Sequence, residues 1–319
     1  MLRLRNWSFT MESHQQVSAL KEIFKDCVLC PRHCHVDRTR GDIGYCRLPA
    51  KIVMDCAQAH HGEEPPLSGT RGAGTIFFSS CNLGCIYCQN YQISHNPSGK
   101  ELDVNELARV MLDLQLRGCH NIEPVTPTPQ TPLIMEAFLS ARENGLQIPF
   151  VYNCGGYEDA QIIKLLEGMV DIYLPDFKYG EVQDGLAFSS APDYPGFALD
   201  SLKEMVRQVG DGLEIENGIA VRGIIVRHLV LPGRTENSKE VFRLIKKHIS
   251  TSVPISLMSQ YTPIAGVSNH PLLGRRLTTK EYNQILDYAL DLGFENLFVQ
   301  EVNEFSLTPD FDKEKPFDL

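Results

Sequence analysis

The chain has 319 residues, 43% of them hydrophobic, and a formal net charge of −10, which fits one large domain with a small appendage and an ordinary core. The acidic balance and the lack of a Lys/Arg block argue against a nucleic-acid partner. No apolar run reaches the about 18 residues of a membrane span, and Met1–Trp7 is not followed by the apolar segment of a signal peptide, so we expect a cytoplasmic protein without a membrane partner.

Residues 1–66 form a cysteine-rich N-terminal region with little periodic sequence beyond a helical pattern near Val17–Phe24. Its thiols follow the spacing C-x2-C-x3-C-x11-C: Cys27, Cys30, Cys34 and Cys46. Four thiolates complete the ligand set of a structural zinc ion or of an iron–sulfur cluster, and spacing alone does not choose between them. We therefore predict a second metal site, Zn or Fe–S, ahead of a main domain that spans residues 67–319.

A second group of cysteines follows the apolar run Thr75–Phe78, with Cys81, Cys85 and Cys88 in the spacing C-x3-C-x2-C. Three thiolates hold a [4Fe–4S] cluster and leave one iron free for a substrate or a cofactor. A structural zinc site normally has four protein ligands, and no fourth cysteine or histidine follows closely. The motif resembles the signature of the radical S-adenosylmethionine (SAM) enzymes, which implies that SAM binds the open iron and that Tyr87 lies near its adenine.

From about residue 70 onward, strand-like and helix-like segments alternate. The predicted strands are short apolar runs, typical of strands buried on both faces: Thr75–Ser79, Asn121–Val125, Ile148–Tyr152, Val170–Leu174, Val221–Val230, Ile255–Met258 and Leu297–Val299. The predicted helices lie at Val104–Arg117 and at about 133–144, 159–168, 201–209, 237–249 and 279–292. This alternation predicts an α/β fold with a parallel sheet, a partial or complete TIM-type (β/α) barrel, whose chemistry lies at the carboxyl ends of the strands.

Two of the predicted strands end in loops that carry candidate binding residues. Thr126 and Thr128 lie among prolines, which fix an extended loop and remove competing N–H donors, so both hydroxyls are free for a ligand. Asn153 follows the next strand. Gly155 and Gly156 come directly after it, and they indicate either close approach of the backbone to a ligand or an ordinary tight turn.

The later strands carry further candidate cofactor-binding residues: Asp176, Lys178, Arg227 and Tyr261. Asp176 and Lys178 lie two residues apart at a strand end and point to the same side, where they hold a ligand or form a surface ion pair. Arg227 lies in an apolar run and needs a carboxylate partner. Tyr261 follows the sixth strand, where polar groups line a cavity or stay solvated. The segment His60–Pro66 is interpreted as a solvated linker, with a substrate wall as the alternative.

Taken together, these motifs are similar to those of the pyruvate formate-lyase activating enzyme-like family of radical SAM proteins. The matching stretches are Cys27–Cys34, His61–Gly69, Gly74–Leu83, Cys88–Ser94, Tyr152–Tyr157, Leu174–Lys178 and Arg227–Gly233. The resemblance implies a partial barrel of the radical SAM kind and reductive cleavage of SAM to a 5′-deoxyadenosyl radical that abstracts hydrogen. It also implies that Asp176 and Lys178 contact SAM. The implied partners are an electron donor such as flavodoxin or ferredoxin and a protein substrate.

The chain departs from true activating enzymes at a few positions. Tyr152-Asn153 replaces Asp-Thr, the loop after the second strand lacks Gly-Gly-Glu, and a SAM-contacting histidine is replaced near Tyr261. The substrate therefore stays open between a backbone glycine of a glycyl radical enzyme and a small molecule or another peptide side chain. The alternative functions are a noncatalytic iron–sulfur protein, for electron transfer or redox sensing, and a zinc-stapled scaffold.

No catalytic residue is assigned beyond the cluster cysteines. The remaining cysteines, Cys56, Cys119 and Cys154, receive no role from the sequence, since free cysteines often serve as small buried hydrophobes.

Overall fold

A computed structural model describes residues 11–302, 308–313 and 316–317. Met1–Trp7, which bears on the signal-peptide prediction, lies outside the described residues. The helices are α1 (Met11–Glu22), α2 (Pro65–Ser68), α3 (Tyr91–Ser94), α4 (Val104–Leu116), α5 (Thr131–Glu143), α6 (Ala160–Lys164), α7 (Val182–Ser189), α8 (Tyr194–Val209), α9 (Thr235–His248) and α10 (Thr279–Asp291). The strands are β1 (Ile52–His60), β2 (Ala73–Phe78), β3 (Lys100–Leu102), β4 (Ile122–Val125), β5 (Val151–Cys154), β6 (Ile172–Pro175), β7 (Leu213–Glu216), β8 (Ile219–Ile224), β9 (Val226–Leu229), β10 (Ile255–Met258) and β11 (Leu297–Val299).

The central sheet is parallel. Strands β2, β4, β5, β6 and β8 pair side by side in that order, and β9, β10 and β11 form a second parallel set. A backbone bridge between Asp176 and Arg227 joins the end of β6 to β9 and so connects the two sets. The described strands do not close into a complete barrel. The predicted α/β fold, a partial (β/α) barrel built on parallel strands, is confirmed.

The two faces of the sheet bury different kinds of side chain. One face packs under the helices and belongs to the main hydrophobic core, where Ile76, Ile122 and Tyr152 meet helix residues such as Met111. Because side chains alternate along a strand, their neighbours in sequence point to the opposite face. We call that opposite face the inner face and define it by Thr75, Glu123, Asn153, Arg227 and Ser256.

Local sequence rules explain where the elements begin and end. The Asp103 side chain accepts a hydrogen bond from the Glu106 N–H, and the Glu106 side chain returns one to Asp103, so this capping box fixes the start of α4. The predicted strand Val221–Val230 divides into β8 and β9, and the N-terminal strand β1 was missed. β1 pairs antiparallel with β2 and is only partly buried, so it lacks the continuous apolar run by which we recognised the other strands.

The predicted boundary at residue 66 stays a prediction. No helix in the described ranges is long and apolar enough to cross a membrane.

Candidate functional site

The loop after β2 carries Cys81, Cys85 and Cys88 at the carboxyl end of the parallel strands. Each sulfur accepts a hydrogen bond: from the Leu83 N–H to Cys81 (3.3 Å), from the Ser189 hydroxyl to Cys85 (3.1 Å) and from the Ser94 hydroxyl to Cys88 (3.3 Å). Burial, together with the charges of the other two thiolates, raises the pKa of Cys81 to about 12. The three thiols therefore lie close enough to repel one another once ionised, and a bound cationic metal would relieve that repulsion.

Lys178 and Asp176 form an ion pair beside this loop. Burial opposes the charge of Lys178, but Asp176 and the Cys85 thiolate outweigh it and raise the pKa of the ammonium. The predicted pair Asp176–Lys178 thus lies beside the cysteines, where the Lys178 ammonium is a positive charge held by a carboxylate. A ligand carboxylate placed here would find a charged hydrogen-bond donor.

Two predicted aromatic residues also meet beside the cysteine loop. The ring centroids of Tyr87 and Tyr261 lie 6.1 Å apart in an edge-to-face arrangement, and both side chains are buried. The Tyr261 hydroxyl donates to the Leu273 carbonyl at 2.6 Å. That bond holds the Tyr261 ring against Tyr87, so the pair forms a rigid apolar wall.

The glycine pair after β5 brings the backbone close to the end of another strand. Gly156 has φ 76°, and a Cβ there would collide with the carbonyl oxygen of Asp176 and crowd the Tyr194 hydroxyl. The same hydroxyl donates to the carbonyls of Gly155 (2.9 Å) and Asp176 (3.1 Å). Here the backbone approaches another strand end, and this contact fixes the position of Asp176.

The two predicted threonines make hydrogen bonds within the protein. The Thr128 hydroxyl donates to Glu158 at 2.7 Å, and Thr128 also lines a cavity beside the N-terminal cysteines. Thr126 has φ 58° and donates its N–H to the Asn153 carbonyl at 2.9 Å. Glu158 is a buried partner that the sequence analysis missed, because a contact between residues 30 positions apart leaves no local pattern.

The cavity that Thr128 lines brings the four N-terminal cysteines together. It contains about 330 Å³ of empty space, which includes open solvent, and we call it the N-terminal cavity. Its lining residues are Cys27, Leu29, Cys30, Arg32, Cys34, Arg38, Gly44, Tyr45, Cys46, Asn82, Thr128 and Pro129. Asn82 directly follows Cys81, so the cavity adjoins the loop that carries the other three cysteines.

Arg32 fastens the N-terminal region to that loop. Its guanidinium donates to the carbonyls of Asn82 (3.0 Å), Leu83 (3.1 Å), Ser189 (2.9 Å) and Ser190 (2.6 Å). The ring of Tyr45 stacks 3.8 Å from its central carbon. One side chain therefore holds four carbonyls of two separate loops.

No group of three or more Cys, His, Asp or Glu side chains in the described ranges is arranged to hold a single metal ion. A zinc site requires its four ligands to converge on one point at about 2.0–2.3 Å. A [4Fe–4S] cluster binds each thiolate through a different iron, so its ligands need not converge. The structure shows four cysteines around one cavity, and neither the zinc nor the iron–sulfur alternative for the second metal site is shown.

A cluster of charged side chains lies on the inner face. Arg227 donates to both carboxylate oxygens of Glu64 (2.8 and 2.6 Å) and also to Glu63. The prediction that Arg227 pairs with a carboxylate is confirmed. The solvated-linker interpretation of His60–Pro66 is wrong at Glu64, which is only 7% exposed, because this buried arginine needs its carboxylate.

Glu123 extends this charged cluster and was also missed as a functional candidate. It is fully buried in β4, and Asn153 donates to its Oε1 at 2.8 Å. A glutamate inside the predicted apolar strand Asn121–Val125 was the available signal, since buried carboxylates are rare without a partner. Asn153, predicted to bind a cofactor, is thus placed beside a carboxylate of the barrel interior.

The chain is similar to the uncharacterized protein MJ0674 of Methanocaldococcus jannaschii, with 30% identity over 293 residues. The match covers 88% of this chain and 80% of that protein. The chain belongs to the same family as MJ0674. No family model matches it. Membership in this family brings no assigned activity, so the function has to be argued from the site.

Two further similarities are more distant. The pyruvate formate-lyase-activating enzyme of Clostridium pasteurianum is 25% identical over 197 residues, which cover 59% of this chain and 74% of that enzyme. Among solved structures, that of methylornithine synthase matches with 15% identity and a TM-score of 0.46. This match covers 70% of this chain and 63% of the synthase, so the chain spans less than two thirds of that protein.

Proposed function

We propose that this protein is a radical SAM enzyme that holds a [4Fe–4S] cluster at Cys81, Cys85 and Cys88. The observation that carries the proposal is the buried three-cysteine loop at the carboxyl end of β2, with the Lys178 ammonium beside its thiols. The 25% identity to an activating enzyme supports the same assignment. The bound cluster supplies one electron to SAM, which then releases a 5′-deoxyadenosyl radical able to abstract hydrogen.

The residues around the loop suit a SAM molecule. Lys178 offers its ammonium to the methionine carboxylate, and Asp176 offers an acceptor to a ribose hydroxyl or to the amino group. The buried wall of Tyr87 and Tyr261 offers apolar surface to the adenine. Such an arrangement serves a cofactor better than it serves simple electron transfer, which needs no convergent polar groups.

The test of this proposal is anaerobic reconstitution followed by incubation with dithionite and SAM. We expect iron and sulfide in the protein, the visible absorption of a [4Fe–4S] cluster, and formation of 5′-deoxyadenosine. Cys85→Ala abolishes the product, whereas Cys119→Ala, a change at a buried cysteine outside the site, leaves it unchanged. Cluster absorption without 5′-deoxyadenosine would instead support the noncatalytic iron–sulfur protein.

We further propose that the N-terminal cavity holds a second iron–sulfur cluster and not zinc. Four cysteines line one cavity, which adjoins the loop of the proposed catalytic cluster, so a second cluster there suits electron transfer to the first. Metal analysis of the purified protein decides between iron–sulfur and zinc. We expect iron in excess of one cluster per chain, falling by about half in Cys30→Ser. One zinc ion per chain, lost in the same variant, contradicts the proposal.

The substrate is the finer part of the proposal. The activating-enzyme relative supports a glycine of a glycyl radical enzyme, whereas the charged cluster on the inner face supports a ligand that enters the barrel. We propose that the reducing electron comes from a flavodoxin- or ferredoxin-type donor. A cytoplasmic location agrees with ten cysteines that are all unpaired.

A further inference from the structure

The charged cluster on the inner face contains more carboxylates than cations. Glu63, Glu64 and Glu123 meet there with Arg227 as the counter-charge. Arg227 uses its guanidinium on Glu64 and Glu63, and it donates no hydrogen bond to Glu123 within the described contacts. Three carboxylates face one guanidinium, and burial lowers the pKa of His60, whose ring lies 3.9 Å from Glu63, so this histidine adds little charge. Buried carboxylates are costly without a partner, so the cluster is short of positive charge.

Glu123 has an oxygen with no partner. Asn153 donates to Oε1, but no described residue donates to Oε2, although the side chain is fully buried. The strongest charges acting on this carboxylate are those of Glu63 and Arg227, so it faces the cluster. Burial and the charge of Glu63 raise the pKa of Glu123 well above its usual value. A cation bound beside Glu123 opposes both effects, so the site favours a positively charged group over a neutral one.

The cluster keeps a small exposed surface, and its arginine is linked through the backbone to the pair Asp176–Lys178. The side chains of Glu63 and Arg227 keep 9% and 12% of their surface exposed. Arg227 pairs through its backbone with Asp176, the partner of Lys178. A small ligand seated on Glu123 can therefore extend along the inner face toward the place where SAM is proposed to bind.

We propose that the inner face binds the cationic end of a small organic substrate, a primary ammonium or a guanidinium group, between Glu123 and Glu63. This proposal adds a substrate class to the proposed radical SAM function. It depends on that function only for the chemistry that follows binding. A bound cation supplies the missing positive charge and a donor to Glu123 Oε2. A backbone glycine carries no charge, so it does not supply the positive charge that the cluster lacks.

The test measures binding in the cluster-loaded protein without reductant, so it does not depend on radical formation. Three probes of equal length, n-pentylammonium, 1-pentanol and pentanoate, are compared at matched ionic strength by calorimetry and by thermal unfolding. We expect only the ammonium to bind and to raise the melting temperature. Its affinity falls about tenfold or more in Glu123→Gln, the loss expected for one charged contact.

Two further variants keep the test decisive. Glu158→Gln is the matched control, because Glu158 is another buried glutamate with an unpartnered oxygen but lies beside the N-terminal cavity. It leaves the affinity for the ammonium unchanged. Glu63→Gln weakens binding and preserves the pairing of Arg227 with Glu64, which covers the case of a poorly folded Glu123 variant. Equal binding of the three probes, preference for pentanoate, or no ammonium binding at tens of millimolar overturns the proposal.

If the ammonium binds as expected but dithionite and SAM give no 5′-deoxyadenosine, the radical SAM assignment fails and the cation site stands. If 5′-deoxyadenosine forms but no ammonium binds, the outcome is reversed.

Discussion

Replacing Arg32 should loosen the cysteine loop more than it weakens the rest of the fold. Its guanidinium holds four carbonyls, and two of them belong to Asn82 and Leu83, between the first and second cysteines of the loop. Hydrogen bonds from a charged donor contribute about 1.5–3 kcal/mol each, and they are not additive when one side chain makes them all. Because Arg32 is only partly buried, we expect Arg32→Ala to cost about 3 kcal/mol in total.

The informative measurement is the rate at which the reconstituted protein loses iron to a chelator. If most of the lost free energy appears in opening of the loop, iron release accelerates between tenfold and about a hundredfold. Arg32→Lys keeps the charge but loses the planar fork of donors, so it should lie between wild type and alanine. Urea unfolding of the metal-free chain reports the global cost separately.

Arg207→Ala provides the control. Arg207 also makes several hydrogen bonds, to Glu167 and Glu204, but its side chain is 48% exposed and its partners lie outside the site. Exposed pairs of this kind contribute about 0–1 kcal/mol. Iron release should therefore match wild type in this variant. If Arg32→Ala also released iron at the wild-type rate, the guanidinium would not anchor the loop and our reasoning would be refuted.

Three further predictions concern single residues. Gly156→Ala should cost about 3 kcal/mol in urea unfolding, against about 1 kcal/mol for Gly168→Ala, because both have positive φ but only Gly156 would collide with backbone. Burial lowers the pKa of His228 from 6.5 to about 4, so as the pH falls the unfolded chain takes up this proton before the folded protein does. The free energy of unfolding is therefore highest above about pH 6.5 and falls by about 3 kcal/mol between pH 6.5 and pH 4. His228→Asn should remove this part of the pH dependence in urea unfolding. Ser189→Ala removes a hydrogen bond to the Cys85 sulfur and should lower the cluster's midpoint potential in a redox titration, whereas an unchanged potential refutes that contact.

The sequence predicted the parallel core well because its strands are apolar on both faces. Ile255–Met258 and Leu297–Val299 were predicted with the observed bounds as β10 and β11. The strand β1 gave no such signal, since most of it is only partly buried and it pairs antiparallel between β2 and β3. A search for short apolar runs finds the parallel strands and passes over a mixed polar and apolar strand such as β1.

The candidate site was predictable wherever one short segment carries all the information. The spacing of the cysteines and the pair Asp176–Lys178 are local features, and the structure places that pair beside the loop. The contact of Arg227 with Glu64 joins residues 163 positions apart, so the sequence could state only that the arginine needs a carboxylate. Which carboxylate meets it depends on the path of the chain beneath the barrel.

Two buried glutamates with unpartnered oxygens lie on either side of β5, and each faces a different compartment. Asn153 of β5 donates to Glu123 on the inner face, while Glu158 accepts from Thr128 at the N-terminal cavity. Burial raises the pKa of Glu158 to about 8 and that of Glu123 well above its usual value, so the ionised form of each is destabilised while no partner is bound. A purely structural role would be served better by apolar side chains of the same size, which cost no desolvation. A poorly satisfied carboxyl group on each side of one strand therefore agrees with the two proposed binding sites, one for the substrate and one for a second metal cluster.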